Sequence, residues 1–226
     1  MMRKFVMGTV AVAAIAGLAG TANAQRLFAG PPVNWSGPYV GAEGGYGWGE
    51  SSHSDATGFN SGPFDANGGT FGGTAGYNWQ INGPLVVGLE GDLGWADMGG
   101  ATTSTCSGTC STHLADLGTA RGRVGWSFGT IMPYATAGLA FGDLHGGEGG
   151  GAGASGAGNT YRVGWTAGAG VEDAFAPHWS AKLEYLHVDL GSGPMFDDAL
   201  AGGGSVAEHV NFNSEMVRAG INYRFW

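Results

Sequence analysis

The sequence predicts an all-β fold, an eight-stranded antiparallel up-and-down transmembrane β-barrel with short periplasmic turns and long extracellular loops. Three observations lead there. Apolar and polar residues alternate with period two in one segment after another, which is the side-chain period of a strand. Tryptophan and tyrosine collect near both ends of those segments, as they do at the two interfaces of a membrane. The connections between segments are alternately short and long, the pattern of a barrel whose two rims face different compartments.

Ahead of the first strand, Arg3 and Lys4 precede a nearly continuous apolar run, Phe5 to Ala19, and Ala22-Asn23-Ala24 has the small-x-small form of a signal-peptidase site. Residues 1–24 therefore read as a signal peptide, 25–34 as a short segment after cleavage at Gln25, and 35–226 as the barrel domain. The apolar run is shorter than the ~20 residues that a spanning helix needs.

Each strand then shows one uncharged face. In the first, Val40, Ala42, Gly44, Tyr46 and Trp48 share a side and Glu43 lies on the other; in the second, Phe71, Gly73, Ala75, Tyr77 and Trp79 form the apolar set. The third sets Val87, Leu89, Leu93 and Trp95 against Glu90 and Asp92. The fourth contains "TARGRVGW", with Arg121 and Arg123 on one face and Ala120, Val124, Trp126 and Phe128 on the other. Ala135, Ala137, Leu139 and Phe141 mark the fifth. The sixth opposes Val163, Trp165 and Val171 to Arg162 and Glu172, and the seventh opposes Ala181, Leu183 and Tyr185 to Lys182 and Glu184. Val217, Ala219, Ile221, Tyr223 and Phe225 close the chain, with Arg218 and Arg224 on the opposite parity. Tight junctions fall at Asn82-Gly83-Pro84, Gly129-Thr130 and Ala176-Pro177-His178, and long ones at 49–68, 97–116, 143–159 and 190–211.

A β-sandwich also alternates, but its apolar faces meet in a dry core and its charged faces meet water. Two aromatic belts around an apolar band instead turn the apolar face to lipid and the charged face to the lumen. Glu43, Glu90, Asp92, Arg121, Arg123, Arg162, Glu172, Lys182, Glu184, Arg218 and Arg224 are then expected to form an interior ion-pair network, beginning with cross-strand pairs between the third and fourth strands. An eight-stranded barrel has an interior wide enough only for side chains or one small ligand, so a wide aqueous channel is not expected.

The long connections carry no Lys or Arg but hold Glu50, Asp55, Asp65, Asp97, Asp116, Asp143, Glu148, Asp197, Asp198 and Glu208. Loss of Arg3 and Lys4 with the signal peptide takes the formal net charge from −9 to −11. Such a surface is hydrated and attracts cations or a basic partner, and it disfavours nucleic acid. Each long connection also holds one histidine, namely His53, His113, His145 and His209. Four imidazoles meeting above a barrel would suit a divalent metal or haem iron, although ordinary loop histidines account for them equally. Cys106 and Cys110 in "CSGTC" are expected to close a small disulfide ring after export. His187, Asp189 and Ser192 lie too close along one strand to act as a catalytic triad, and the G-x-G-x-x-G at Gly151–Gly156 sits in a glycine-rich run without a βα unit.

The stretches "NWSGPYVGAEGGYGWG", "GTARGRVGWSF", "PYATAGLAFGD", "VGWTAGAGVEDAFAPHWSAKLEYLHVDLG" and "MVRAGINYRF" resemble the small outer-membrane β-barrel proteins of alphaproteobacteria, the outer-membrane immunogenic or opacity-like porin family. The resemblance covers the strands of nearly the whole mature chain. It implies an eight-stranded barrel abundant in the outer membrane and exposed as a surface antigen. Some relatives are associated with haem, though no haem motif carries over to a residue here. In that family the last strand ends on an aromatic residue read by the barrel-assembly machinery, which makes Tyr223, Phe225 and Trp226 the candidate assembly signal.

The expectation is thus a non-enzymatic outer-membrane barrel with a structural, surface-exposed role and no cofactor. The alternatives are a narrow porin for ions or very small solutes and a haem- or metal-binding receptor. Its expected partners are outer-membrane lipid and lipopolysaccharide, the barrel-assembly machinery, and host or envelope molecules met by the acidic loops.

Overall fold

The computed structural model describes residues 33–225 apart from 57, 59, 104, 105, 107, 150–155 and 200–204, and apart from the side chains of 148, 196–199, 205 and 206. The expected signal peptide, most of the Gly151–Gly156 motif and Trp226 lie outside the described residues. Eight strands run in order: β1 (Gly37–Ser54), β2 (Phe64–Ile81), β3 (Leu85–Thr102), β4 (Thr109–Trp126), β5 (Ile131–Gly149), β6 (Gly156–Ala176), β7 (Trp179–Ala199) and β8 (Ser205–Arg224). Each pairs antiparallel with its sequence neighbours, and β1 pairs with β8 from Tyr39↔Arg224 to Ser54↔His209, closing the ring. Closure leaves no strand edge to present unpaired backbone groups to hydrocarbon.

The first tight turn shows how local chemistry sets the hairpin. Asn82 and Gly83 both take left-handed φ values, 42° and 92°, which Asn and Gly adopt at least cost. With Ile81 paired to Leu85, this turn fixes the β2–β3 register, and it places Leu89 against Tyr77 on the outer face. The outward set is apolar and solvent-accessible, Leu93 at 67% and Trp95 at 72% being among the most exposed. Trp48, Trp95 and Trp165 belong to one rim of that apolar band and Trp79, Trp126 and Trp179 to the other.

One expectation is corrected. The long extracellular connections are mostly strand: β1 runs to Ser54, β3 to Thr102, β5 to Gly149 and β7 to Ala199, so the links shrink to 55–63, 103–108, 150–155 and 200–204. Above the lipid both faces of a strand can be polar or glycine-rich. The alternation that marks a membrane strand then vanishes from the sequence while the hydrogen-bonded ladder continues. Histidines and carboxylates assigned to loops, such as His53, Asp65, Asp97, His113, Asp116, Asp143, His145 and Glu208, sit instead on strand walls.

Two register shifts meet at the same point of β4. The β3–β4 ladder is irregular between Trp95 and Met98, and the β4–β5 ladder between Leu114 and Asp116. Both reflect one parity reversal on β4 between Leu114 and Asp116, while the even residues of β3 stay inward through Met98. Arg121 and Arg123 face the lumen with odd numbers, whereas above the bulge Thr112 and Leu114 are the buried residues and His113 is turned outward.

Candidate functional site: a filled lumen

The lumen is filled in layers. At the periplasmic mouth the chain preceding β1 folds inward, so that Trp35 is fully buried with Val86, Met132, Tyr134 and Ala174. Its indole Nε1 donates to Ser127 Oγ at 3.0 Å, and its backbone N–H to Gln80 Oε1 at 3.0 Å. The Arg224 guanidinium lies 5.0 Å from the Trp35 ring centroid and donates to the carbonyls of Asn34 and Pro177.

Above this plug lies the ionic layer. Glu90 and Arg121 are direct partners in the β3–β4 register, and Arg121 Nη2 lies 2.7 Å from Glu90 Oε1 and 2.9 Å from Asp92 Oδ2. Its Nη1 reaches Glu184 Oε1 on β7 at 2.9 Å. Arg123 bridges Glu90 at 3.2 Å and Glu172 at 2.5 Å, with its guanidinium 4.2 Å from the Tyr134 ring centroid. Lys182 Nζ joins Glu43 at 2.8 Å to Glu90 at 3.2 Å, and Arg218 joins Glu43, Asp92 and Glu184 at 2.7 to 3.0 Å. Strands β3 and β7 stand on opposite walls of an eight-stranded ring, so the Lys182–Glu90 contact spans the lumen.

Four cations face five carboxylates here, and neutral donors take up the excess. Tyr39 donates to Glu90 at 2.6 Å, Tyr134 to Glu184 at 3.0 Å, Thr119 to Asp92 at 2.5 Å, and Ser180 and Asn222 to Glu172 at 2.6 and 3.0 Å. A buried charge is tolerable when its remaining lone pairs find such partners. Each tyrosine ring crosses a glycine directly opposite it, Tyr39 over Gly76 and Tyr134 over Gly170. A Cβ at Gly170 would lie 2.6 Å from the Tyr134 hydroxyl oxygen, so only glycine lets the phenol reach its carboxylate.

The outer half of the lumen is apolar, which the alternation of the membrane strands does not predict. Met98, Leu114, Leu144, Val188, Phe212 and Met216 are buried together in one cluster. Met98 and Leu144 carry a signal as apolar residues on the otherwise polar parity of stretches that read as loops, and Val188, Phe212 and Met216 carry the same signal within or beside the alternating segments, whereas Leu114 is brought inward by the bulge. Over this layer, His53 Nε2 and Ser51 Oγ of β1 each lie 2.8 Å from Thr112 Oγ1 of β4, and Glu208 is buried beside His53 at 3.6 Å.

All eleven residues assigned to the lumen face inward and are buried. Nine of them are joined in the ionic layer, but Arg162 and Arg224 stand apart from the ion pairs and are corrected to end caps. Arg162 donates to the carbonyls of Val210 and Gly193 near the outer end, as Arg224 does at the inner end. The reason is depth: parity places a side chain inside but not at the level of its counter-charges.

The four histidines do not converge. His53 is inside the barrel, His209 is exposed on β8, and only His113 and His145 meet, on the outer wall of β4 and β5. His187 pairs with Glu215 at 2.8 Å rather than with Asp189, whose carboxylate accepts from the Gly191 N–H. Cys106 and Cys110 are disulfide-bonded. At the chain end Tyr223 packs edge-on against Trp179 and Phe225, at 5.1 and 5.3 Å between centroids.

A closed antiparallel ring with a lipid-compatible outer face and a charged inner one defines a transmembrane β-barrel of the bacterial outer membrane. The chain belongs to the family described as outer membrane protein beta-barrel domain, whose model matches residues 10–225. It is 34% identical over 209 residues to a 31 kDa outer-membrane immunogenic protein of Brucella melitensis, covering 85% of this chain and 84% of that one. It is 33% identical over 203 residues to a 22 kDa outer membrane protein of Rhizobium leguminosarum bv. viciae, covering 89% and 83%. Among solved structures, the outer membrane protease OmpT from Escherichia coli superposes with a TM-score of 0.53 at 7% identity, covering 88% of this chain and all of that one, a likeness of fold alone.

Proposed function

We propose that this protein is a closed, non-conducting outer-membrane barrel that reinforces the envelope and presents a rigid acidic surface to the outside. The observation that carries the reading is the Lys182–Glu90 ion pair between opposite walls at 3.2 Å, with apolar layers above and below it. An ion crossing such a lumen would have to displace buried, paired charges and then pass an apolar stretch lined by Phe212 and Met216. Both steps are far costlier than passage through water. The strands that continue above the lipid carry outward carboxylates on a stiff ladder, a form suited to contact at the cell surface. The names of the Brucella relatives, immunogenic outer-membrane proteins, agree with exposure of this kind.

Proteoliposomes test the proposal. Vesicles loaded with potassium and containing the refolded barrel should retain it as long as protein-free vesicles do. Potassium loss that scales with barrel content would instead make the protein a narrow porin.

A further inference from the structure

We infer that His113 and His145 form a binding site for a borderline divalent transition cation, of the zinc or copper class, on the outer wall above the membrane. The two residues are direct partners across β4 and β5, and their ring centroids lie 6.4 Å apart, edge to face. At that separation modest side-chain rotation brings one nitrogen of each ring within the ~2.0–2.1 Å bond length of a shared metal. Each ring has a carboxylate beside it: His113 Nε2 is hydrogen-bonded to Asp97 Oδ1 at 3.0 Å, and Asp143 Oδ2 lies 3.3 Å from His145 Nε2. A carboxylate on one ring nitrogen fixes the tautomer and leaves the other nitrogen as the ligating atom, the usual support for a metal-bound imidazole.

Two further features distinguish this pair from incidental surface histidines. The bulge between Leu114 and Asp116 is what turns residue 113 outward. With the parity of Arg121 continued, it would have pointed into the lumen and away from His145. The same cross-strand row also continues to Asn159 on β6, directly opposite His145, which offers an amide oxygen beside the imidazoles. The three residues line an open cleft of about 610 Å³ whose other walls include Gly146, Gly147 and Gly158, so hydrated ions reach it freely. Among the described residues no group of three or more His, Cys, Asp or Glu could hold a metal, so water and Asn159 would complete the coordination. Two neutral imidazoles with two nearby carboxylates suit a dication, and imidazole donors select zinc, copper or nickel over calcium and magnesium.

The test is a Cu²⁺ titration of the full chain refolded in detergent, followed by electron paramagnetic resonance. The expected result is one saturable species whose superhyperfine structure reports two nitrogen ligands. His113→Ala and His145→Ala should each lose that pattern, Asp97→Asn should weaken binding by about 10-fold or more, and His187→Ala should bind as wild type does. The folded band on an unheated gel checks that every variant remains a barrel. Unchanged saturable binding in the His113→Ala/His145→Ala double variant would overturn the assignment, as would non-saturable binding in the wild type.

Discussion

Arg121 of β4 stands directly opposite Glu90 of β3, and its guanidinium touches Glu90, Asp92 and, across the lumen, Glu184 at 2.7 to 2.9 Å. This one side chain couples two neighbouring strands to a third on the far wall. In a ring held by local hairpins, such cross-lumen contacts resist flattening of the cylinder.

Removing Arg121 should therefore cost more than an exposed ion pair would. Arg121→Ala leaves three buried carboxylates short of a cation, and loss of one partner from a buried pair typically costs about 3–5 kcal/mol. The unfolding midpoint in urea, measured from lipid vesicles, should fall accordingly; an unchanged midpoint would contradict the network.

Outside the barrel the sign of the argument reverses. Leu89 faces lipid between Trp95 and Trp126, the rims of the apolar band, and Leu89→Arg should cost ~2–4 kcal/mol of folding free energy into vesicles. Val124 is only two positions from Trp126, so Val124→Arg should cost less. Equal costs at both positions would show that the apolar band is misplaced in depth.

Gly170→Ala tests the tyrosine contacts. The new methyl group would collide with the Tyr134 hydroxyl and push it from Glu184, an overpacking cost of ~1–3 kcal/mol. In a Tyr134→Ala background the contact with the Leu183 carbonyl oxygen at 2.7 Å remains while the one with the phenol is gone, so the same substitution should still cost stability but less, and the double variant should be sub-additive in equilibrium unfolding.

Phe212→Ala probes the apolar layer. Phe212 is fully buried among Met98, Leu144 and Met216, and its truncation should destabilise the barrel by about 3–5 kcal/mol. A change near zero would mean that this half of the lumen is hydrated rather than packed.

The fold is legible in the sequence wherever period two survives. Between the aromatic belts lipid requires one apolar face, and there the parity of Glu90, Arg121, Lys182 and Arg218 alone places these side chains in the lumen. Beyond the belts lipid imposes nothing. The outer reaches of β1, β3, β5 and β7 lack the alternation and read as loops, and the inward Met98 and Leu144 are hidden with them. The bulge at Leu114–Asp116 is illegible for another reason: a one-residue insertion inverts parity without leaving a compositional mark. The histidine pair that it creates becomes visible only in the three-dimensional register.

The most direct test of the closed lumen is single-channel recording from the refolded protein in a planar bilayer, with insertion verified independently and Lys182→Ala recorded alongside. The wild type should show no discrete openings, because Lys182, Arg121 and Arg218 bridge the walls and buried apolar side chains pack on either side. Stable, reproducible openings in the wild type would contradict the account and make the lumen a conducting path.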